Sequence, residues 1–211
     1  MTENQKIRLV MSDVGGVLID HDEERHYRYL AEFLGVSAAD LIPLGSKFAR
    51  QLERKEISMR EVEETLSDRF GIPMSKVRGS WSKTFRQSVK VREDMVELLP
   101  KLEKTGIKIA ITTNTNFSDF GSLYRKGGPL HELKEKYPIF ASCYINFAKP
   151  DPKYYEYVLK RMNVPPEETV FIDDKLTYIV GAEGLKIKTI LFKDYNQLVR
   201  DLYRLGIEVS K

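Results

Sequence analysis

Five polar residues stand at or just after the carboxyl ends of short apolar segments, and their side chains suit one kind of chemistry. They are Asp13, Thr113, Lys149, Asp173 and Asp174. A carboxylate such as that of Asp13 can attack phosphorus and divide one difficult transfer into two easier steps. The sequence therefore predicts phosphoryl transfer through an aspartyl phosphate, with a small phosphorylated molecule as substrate.

The other groups would offset the negative charge of such a reaction. A phosphate ester and the attacking carboxylate repel each other, so the site needs cations. The attacking carboxylate and Asp174 could share one Mg²⁺, a hard ion that prefers oxygen ligands. Lys149 would add a further positive charge. Thr113 and the backbone amides near Gly16 and Asn114 are candidate hydrogen-bond donors to the transferred phosphoryl group.

The segments that carry these residues are apolar and mostly β-branched, which predicts buried strands. Helical patterns separate the later segments, and this alternation favours a parallel sheet covered by helices on both faces. Because the carboxyl ends of parallel strands share one edge, the polar residues should meet there. The predicted strands span 7–13, 107–113, 139–147, 169–173 and 187–192.

One long interval interrupts this alternation. Between about residues 19 and 92 the sequence shows helical patterns and no convincing strand. Ser58 and Glu61, for example, form a capping-box signature ahead of an apolar stripe. We interpret the interval as an all-helical cap, residues 20–92, inserted into a core made of residues 1–19 and 93–211.

The amino-acid composition limits the classes of protein to which this chain can belong. The 211 residues include 34 basic and 31 acidic side chains, and this near balance gives no argument for a nucleic-acid partner. The only cysteine, Cys143, excludes a disulfide framework within the chain. No apolar run approaches the roughly 20 residues of a membrane span, and the chain starts with polar residues. We expect a cytoplasmic protein, monomeric or homodimeric, without a membrane partner.

Four motifs in order, "DVGGVL", "ITTN", "AKP" and "VFIDD", resemble those of the haloacid dehalogenase (HAD) superfamily. Within it the chain resembles phosphatases with a helical cap after the first motif, including sugar-phosphate (glucose-1-phosphate-type) phosphatases. The resemblance implies a Rossmann-like, doubly wound α/β core with sheet order 3-2-1-4-5. It also implies these roles: Asp13 as nucleophile, Thr113 as a hydrogen-bond donor to the phosphate, Lys149 as charge stabiliser, Asp174 as Mg²⁺ ligand, and Asp173 as a residue that orders Lys149 and the metal's surroundings.

Two residues depart from the pattern of that superfamily. Most of its phosphatases carry an aspartate two positions after the nucleophile, which protonates the leaving alcohol, and this chain has Gly15 there. The resemblance implies that the Gly15 carbonyl can still coordinate Mg²⁺, because the family makes that contact through the backbone. Tyr178 stands four residues after Asp174, where related motifs usually have Asn or Asp.

These departures leave other functions open. A 2-haloacid dehalogenase also uses an aspartate nucleophile without a second aspartate, and it needs no metal. A degenerate member could bind a phosphorylated ligand without turning it over. A phospho-receiver module is disfavoured because its carboxylate pair follows its first strand and it has no helical insertion.

Overall fold

The structure is a computed structural model in which residues 6–209 are described. Its strands are β1 (Leu9–Asp13), β2 (Ile19–Asp20), β3 (Lys90–Val91), β4 (Lys108–Thr113), β5 (Ile139–Ala141), β6 (Thr169–Asp173) and β7 (Lys188–Leu191). Its helices are α1 (Glu23–Leu34), α2 (Ala38–Glu53), α3 (Met59–Phe70), α4 (Met74–Val77), α5 (Ser80–Ser88), α6 (Glu93–Lys104), α7 (Phe117–Tyr124), α8 (His131–Lys136), α9 (Ser142–Ile145), α10 (Pro152–Met162), α11 (Leu176–Glu183) and α12 (Tyr195–Arg204).

Five of the strands form one parallel sheet in the order β5-β4-β1-β6-β7. Counted along the chain among these five strands, the order is 3-2-1-4-5, which confirms the expected doubly wound α/β class. Every residue of β1 and β6 is buried, because these central strands have helices over the sheet faces and a strand on either side. β2 and β3 form a separate two-stranded sheet that the sequence did not predict.

One predicted strand was too long. The segment 139–147 is extended only over β5, and the chain then turns into α9. β5 is one of the two edge strands and pairs with β4 over three positions, from Ile139 to Ala141. Among residues 6–209 no strand pairs with the segment beyond Ala141, so a helical turn satisfies its backbone hydrogen bonds instead. Apolar composition alone does not distinguish these two outcomes.

The chain divides into two compact units. Residues 6–20, 91–114 and 134–209 make up the first, which contains the parallel sheet. Its core includes β1 side chains and residues of α10 and α11 that pack against them, among them Leu9, Met11, Tyr154, Tyr155 and Ile179. This unit carries all the residues that the sequence analysis assigned to the chemistry.

The second unit is helical and comprises residues 21–90 and 115–133. Its core is built from α1 to α5, with Tyr27 and Trp81 almost completely buried. The capping box at the start of α3 is present: Ser58 Oγ accepts from the amide of Glu61, and the Glu61 carboxylate accepts from the amide of Ser58. Residues 115–133 pack in this unit, whereas the sequence interpretation ended the cap at residue 92.

None of the helices within residues 6–209 is both long enough and apolar enough to cross a bilayer.

Candidate active site

The sheet brings the carboxyl ends of its central strands together. β1 lies between β4 and β6, with Asp13 level with Thr112 of β4. Asp13 ends β1, Thr113 ends β4 and Asp173 ends β6. Lys149 reaches the same edge from the loop between α9 and α10, next to a cis peptide bond with Pro150. A parallel sheet places its ligand crevice at this edge.

Lys149 is the buried centre of the site. Its Nζ donates to Asp13 Oδ1 and to Asp173 Oδ2, with 2.6 Å for each pair of atoms. The Lys149 and Asp173 side chains are completely inaccessible to solvent. An ammonium group with three donors can satisfy two carboxylates at once, and each of these charges is stable in the interior only because the others are present.

The pKa values of the two interacting groups reflect that burial. Removal from water raises the pKa of Asp13 to about 6, and the charge of Asp173 adds to this, while Lys149 opposes it. Burial alone would lower the pKa of Lys149, but its ion pairs with Asp13 and Asp173 outweigh that effect and raise it. Lys149 is therefore a permanent cation here rather than a proton donor.

Three carboxylates form a cluster that suits a divalent cation. Oxygens of Asp13, Asp173 and Asp174 all lie within 4.8 Å of one another. Gly16 packs directly against the third of these groups: a Cβ at Gly16 would lie 2.5 Å from Asp174 Cγ, and the backbone φ is +78°. The cradle for Asp174 thus depends on a residue without a side chain. Three carboxylates facing one ammonium fit a hard cation with oxygen ligands.

Hydrogen bonds to Asn114 position the loop that carries Lys149. Asn114 Nδ2 donates to Lys149 O at 2.8 Å, and Lys149 N donates to Asn114 Oδ1 at 2.9 Å. The sequence analysis assigned Asn114 and Gly16 to the substrate, which stays a prediction. In the structure the Gly16 amide donates to Ile19 O at 2.8 Å within its own turn.

The sequence pattern of the haloacid dehalogenase-like hydrolases matches residues 7–185. The chain belongs to the haloacid dehalogenase-like hydrolase family. A sesquiterpene phosphatase of Aspergillus oryzae, astK, is 30% identical over 82% of this chain and 83% of its own length. The D-ribitol-5-phosphate phosphatase of Bacteroides thetaiotaomicron is 25% identical over 84% of this chain and 88% of its own.

Solved structures show the same fold. A HAD family enzyme of B. thetaiotaomicron in complex with magnesium and inorganic phosphate superposes with a TM-score of 0.71 at 22% identity. The superposition covers 91% of this chain and 98% of the other. The haloacid dehalogenase-like architecture therefore extends over nearly the whole molecule.

Two tyrosines complete the site of this haloacid dehalogenase-like hydrolase. Tyr154 OH accepts from the Thr113 amide at 3.0 Å and donates to Phe140 O, which fixes the end of β4. Tyr178 OH accepts from Asn114 Nδ2 at 3.2 Å, and its ring centroid lies 5.0 Å from Lys149 Nζ. Sequence reasoning did not find Tyr154, because its apolar helical spacing matches that of a core residue. It noted Tyr178 only as a departure from the HAD pattern.

Gly15 differs from its neighbour Gly16 in the space around it. A Cβ at Gly15 would meet nothing within 4 Å, and its φ is not positive. The residue is partly exposed. The backbone therefore does not require glycine at this position of the HAD motif. Compared with the aspartate that is usual there, Gly15 lacks a carboxyl group and relieves no steric conflict.

Proposed function

We propose that this protein is a Mg²⁺-dependent phosphatase that hydrolyses a small phosphate monoester through a phosphorylated Asp13. The observation that carries the proposal is the buried Asp13–Lys149–Asp173 arrangement with Asp174 beside it. The phosphatase names of the two relatives support it, as does the Mg²⁺ and phosphate complex of the structural neighbour.

In the first step an oxygen of Asp13 forms a bond to phosphorus while the bond from phosphorus to the leaving oxygen breaks. Asp13 must be ionised to attack, and the hydrogen bond from Lys149 Nζ holds its other oxygen. The leaving alkoxide takes its proton from water, because Gly15 offers no acid. In the second step water attacks the phosphorus of the acyl phosphate, which releases inorganic phosphate and regenerates the Asp13 carboxylate.

The charge of each side chain in the site determines its role towards the phosphate and the metal. Asp13, Asp174 and the Gly15 carbonyl would hold Mg²⁺, which when bound neutralises charge on the phosphoryl oxygens. Lys149 stays protonated and supplies the fixed positive charge. Thr113 provides a hydroxyl at the end of β4. A metal-free dehalogenase would leave three carboxylates against one ammonium, and this imbalance disfavours that alternative.

The lack of an acid at Gly15 bears on the substrate. A positioned general acid typically contributes ~10²–10⁴-fold to the rate. A substrate whose leaving group departs easily as an anion is slowed least by the absence of a general acid. Among substrates of similar size, sugar 1-phosphates and aryl phosphates are therefore favoured over phosphates of simple alcohols. The two relatives act on very different leaving groups, a sesquiterpene and a pentitol by their names, and so do not decide the class.

The experiment is phosphate release from p-nitrophenyl phosphate and a panel of sugar and alkyl phosphates, with Mg²⁺ and with EDTA. We expect Mg²⁺-dependent release by wild type that falls by several orders of magnitude in Asp13→Asn, because the nucleophile is lost. Asp40→Asn makes the same chemical change at an exposed position and should leave the rate unchanged. No release from any ester by folded, Mg²⁺-binding protein would instead support the non-catalytic ligand-binding alternative.

A further inference from the structure

Tyr178 stands in α11 where related motifs usually have Asn or Asp, and contacts within the first unit hold it in place. Its backbone carbonyl accepts from Tyr155 OH at 2.7 Å, and its hydroxyl accepts from Asn114 Nδ2 at 3.2 Å. Gly181, three residues further along α11, allows this helix to approach the loop before α10: a Cβ at Gly181 would lie 2.8 Å from Pro150 Cβ. The side chain of Tyr178 is therefore fixed beside that loop.

The ring of Tyr178 lies against the ammonium group of Lys149. Nζ is 5.0 Å from the centre of this ring and 5.4 Å from the centre of the Phe171 ring. The faces of an aromatic ring are electron-rich and attract a cation within about 6 Å, most strongly where the cation is removed from water. Because the Lys149 side chain is completely inaccessible to solvent, the rings add to the attraction that its two carboxylate partners provide.

Asn114 connects the same tyrosine to the backbone of the same lysine. Its Nδ2 donates to Lys149 O and to Tyr178 OH, and its Oδ1 accepts from Lys149 N. These bonds engage both hydrogens of the amide group and its oxygen. Lys149 is thus held at both ends, by Asn114 at the backbone and by the Tyr178 ring at the ammonium.

The seating of the ammonium matters because only part of it is engaged by carboxylates. Two of the three Nζ donors serve Asp13 and Asp173, which among the described residues leaves one for a phosphoryl oxygen. We propose that Tyr178 is a positioning residue: its ring holds the Lys149 ammonium by a cation–π contact, so that the remaining donor serves the phosphate. An Asn or Asp at this position would provide no ring. The inference rests on the proposed phosphatase function and adds a supporting residue to its site.

The first test replaces Tyr178 by phenylalanine and by phenylalanines that carry one, two or three ring fluorines. Fluorine withdraws electrons from the ring faces and hardly changes the shape, so a residue that only packs would give one rate throughout. We expect kcat/KM for p-nitrophenyl phosphate to fall at each step, by roughly 10-fold to 30-fold in total. Tyr178→Asn should lose at least as much. A rate that is constant over the series would overturn the proposal and leave the phosphatase function standing.

Two controls identify the cation and the ring. Lys175 Nζ also lies 5.4 Å from the centre of the Tyr178 ring, so the series is repeated with Lys175→Met, where the trend should persist. A trend that disappears there would assign the effect to Lys175 and overturn the role of Lys149. The same fluorinated series at Tyr157, a half-buried tyrosine of α10 whose ring packs against Phe140, should leave kcat/KM unchanged.

The second test needs no turnover. In calorimetry with Mg²⁺, the affinity for inorganic phosphate should fall along the Tyr178 series. In NMR spectra, the Cε protons of Lys149, identified by their absence from Lys149→Arg, should move downfield in Tyr178→Leu because the ring current is lost. An unchanged shift would overturn the contact. A graded phosphate affinity and a shifted Lys149 signal, without turnover of any ester, would support the role of Tyr178 and reject the phosphatase proposal.

Discussion

At the scale of single residues, Lys149 determines whether the site can hold its charges. Its replacement by Met would leave Asp13 and Asp173 buried without their cation. Breaking a buried ion pair typically costs about 3–5 kcal/mol. We expect Lys149→Met to lower the free energy of unfolding by about that amount, measured with urea, and to abolish phosphatase activity.

A second substitution distinguishes the two effects. Lys149→Met combined with Asp173→Asn removes one of the orphaned charges, so it should recover part of the stability and none of the activity. Lys153→Met, an exposed lysine near the start of α10, controls for loss of a surface cation. If Lys149→Met were as stable as wild type, the carboxylates would not depend on Lys149.

Substitution of Gly15 by aspartate is expected to increase activity. Space for a side chain exists there, and most HAD phosphatases have an aspartate at this position. We expect Gly15→Asp to raise kcat for poor leaving groups by at least ~10-fold, a part of what a general acid supplies. The ratio of alkyl phosphate to p-nitrophenyl phosphate turnover measures the effect. Gly15→Ala fits equally well and should not change the ratio, so equal gains in both variants would contradict an acid role.

At the scale of elements, α7 carries a buried carboxylate near its first turn. Asp119 accepts from Trp81 Nε1 at 3.0 Å and from Asn116 Nδ2 at 2.7 Å. Burial raises the pKa of Asp119 to about 7. The two hydrogen bonds lower this pKa, and the negative charges of Glu53 and Glu23 raise it further. The folded state therefore binds a proton that the unfolded chain releases near its ordinary pKa of 3.8.

This proton makes stability depend on pH. Between about pH 4 and 7 the folded state holds more protons at Asp119, so its contribution to the free energy of unfolding falls as pH rises, by at most about 1.4 kcal/mol per unit. His26 opposes this, because burial lowers its pKa to about 3 and its contribution rises with pH over the same range. The difference between wild type and Asp119→Asn isolates the Asp119 effect.

We expect that difference, wild type minus Asp119→Asn, to decrease steadily from pH 4 to pH 7 in urea titrations. His26→Gln serves as the matched control on α1, and its difference from wild type should change in the opposite direction. A difference for Asp119→Asn that is constant over this range would show that Asp119 is ionised throughout.

The element scale also shows where sequence patterns stop being sufficient. Strands β1, β4 and β6 were predicted to within two residues, because each is a continuous apolar run in the middle of the sheet. The segment 139–147 has the same composition, but its position at the edge leaves only three paired residues. Pairing partners, which decide strand length, are a tertiary property.

At the scale of the whole molecule, a ligand that binds only the folded state must raise its stability. Mg²⁺ at about 100 times its Kd contributes about 2.7 kcal/mol. For a chain of 211 residues, each kcal/mol raises Tm by roughly 2–4 °C. We expect Mg²⁺ to raise Tm by roughly 5–10 °C in thermal unfolding, and EDTA to reverse it. Asp174→Asn should respond much less, whereas an unchanged response would place the metal elsewhere.

The sequence by itself determined the fold class, the sheet order through its family resemblance, and the residues at the strand ends. The fold class and the residues at the strand ends follow from local facts, because apolar periodicity specifies strands and helices and parallel strands share a carboxyl edge. The sheet order does not follow from such facts and came only from the resemblance. Only the tertiary structure showed that the single ammonium of Lys149 contacts both Asp13 and Asp173 and is completely buried, and that residues 115–133 pack with the helical unit. Such contacts join residues far apart in the chain, and burial then sets their charges and energies.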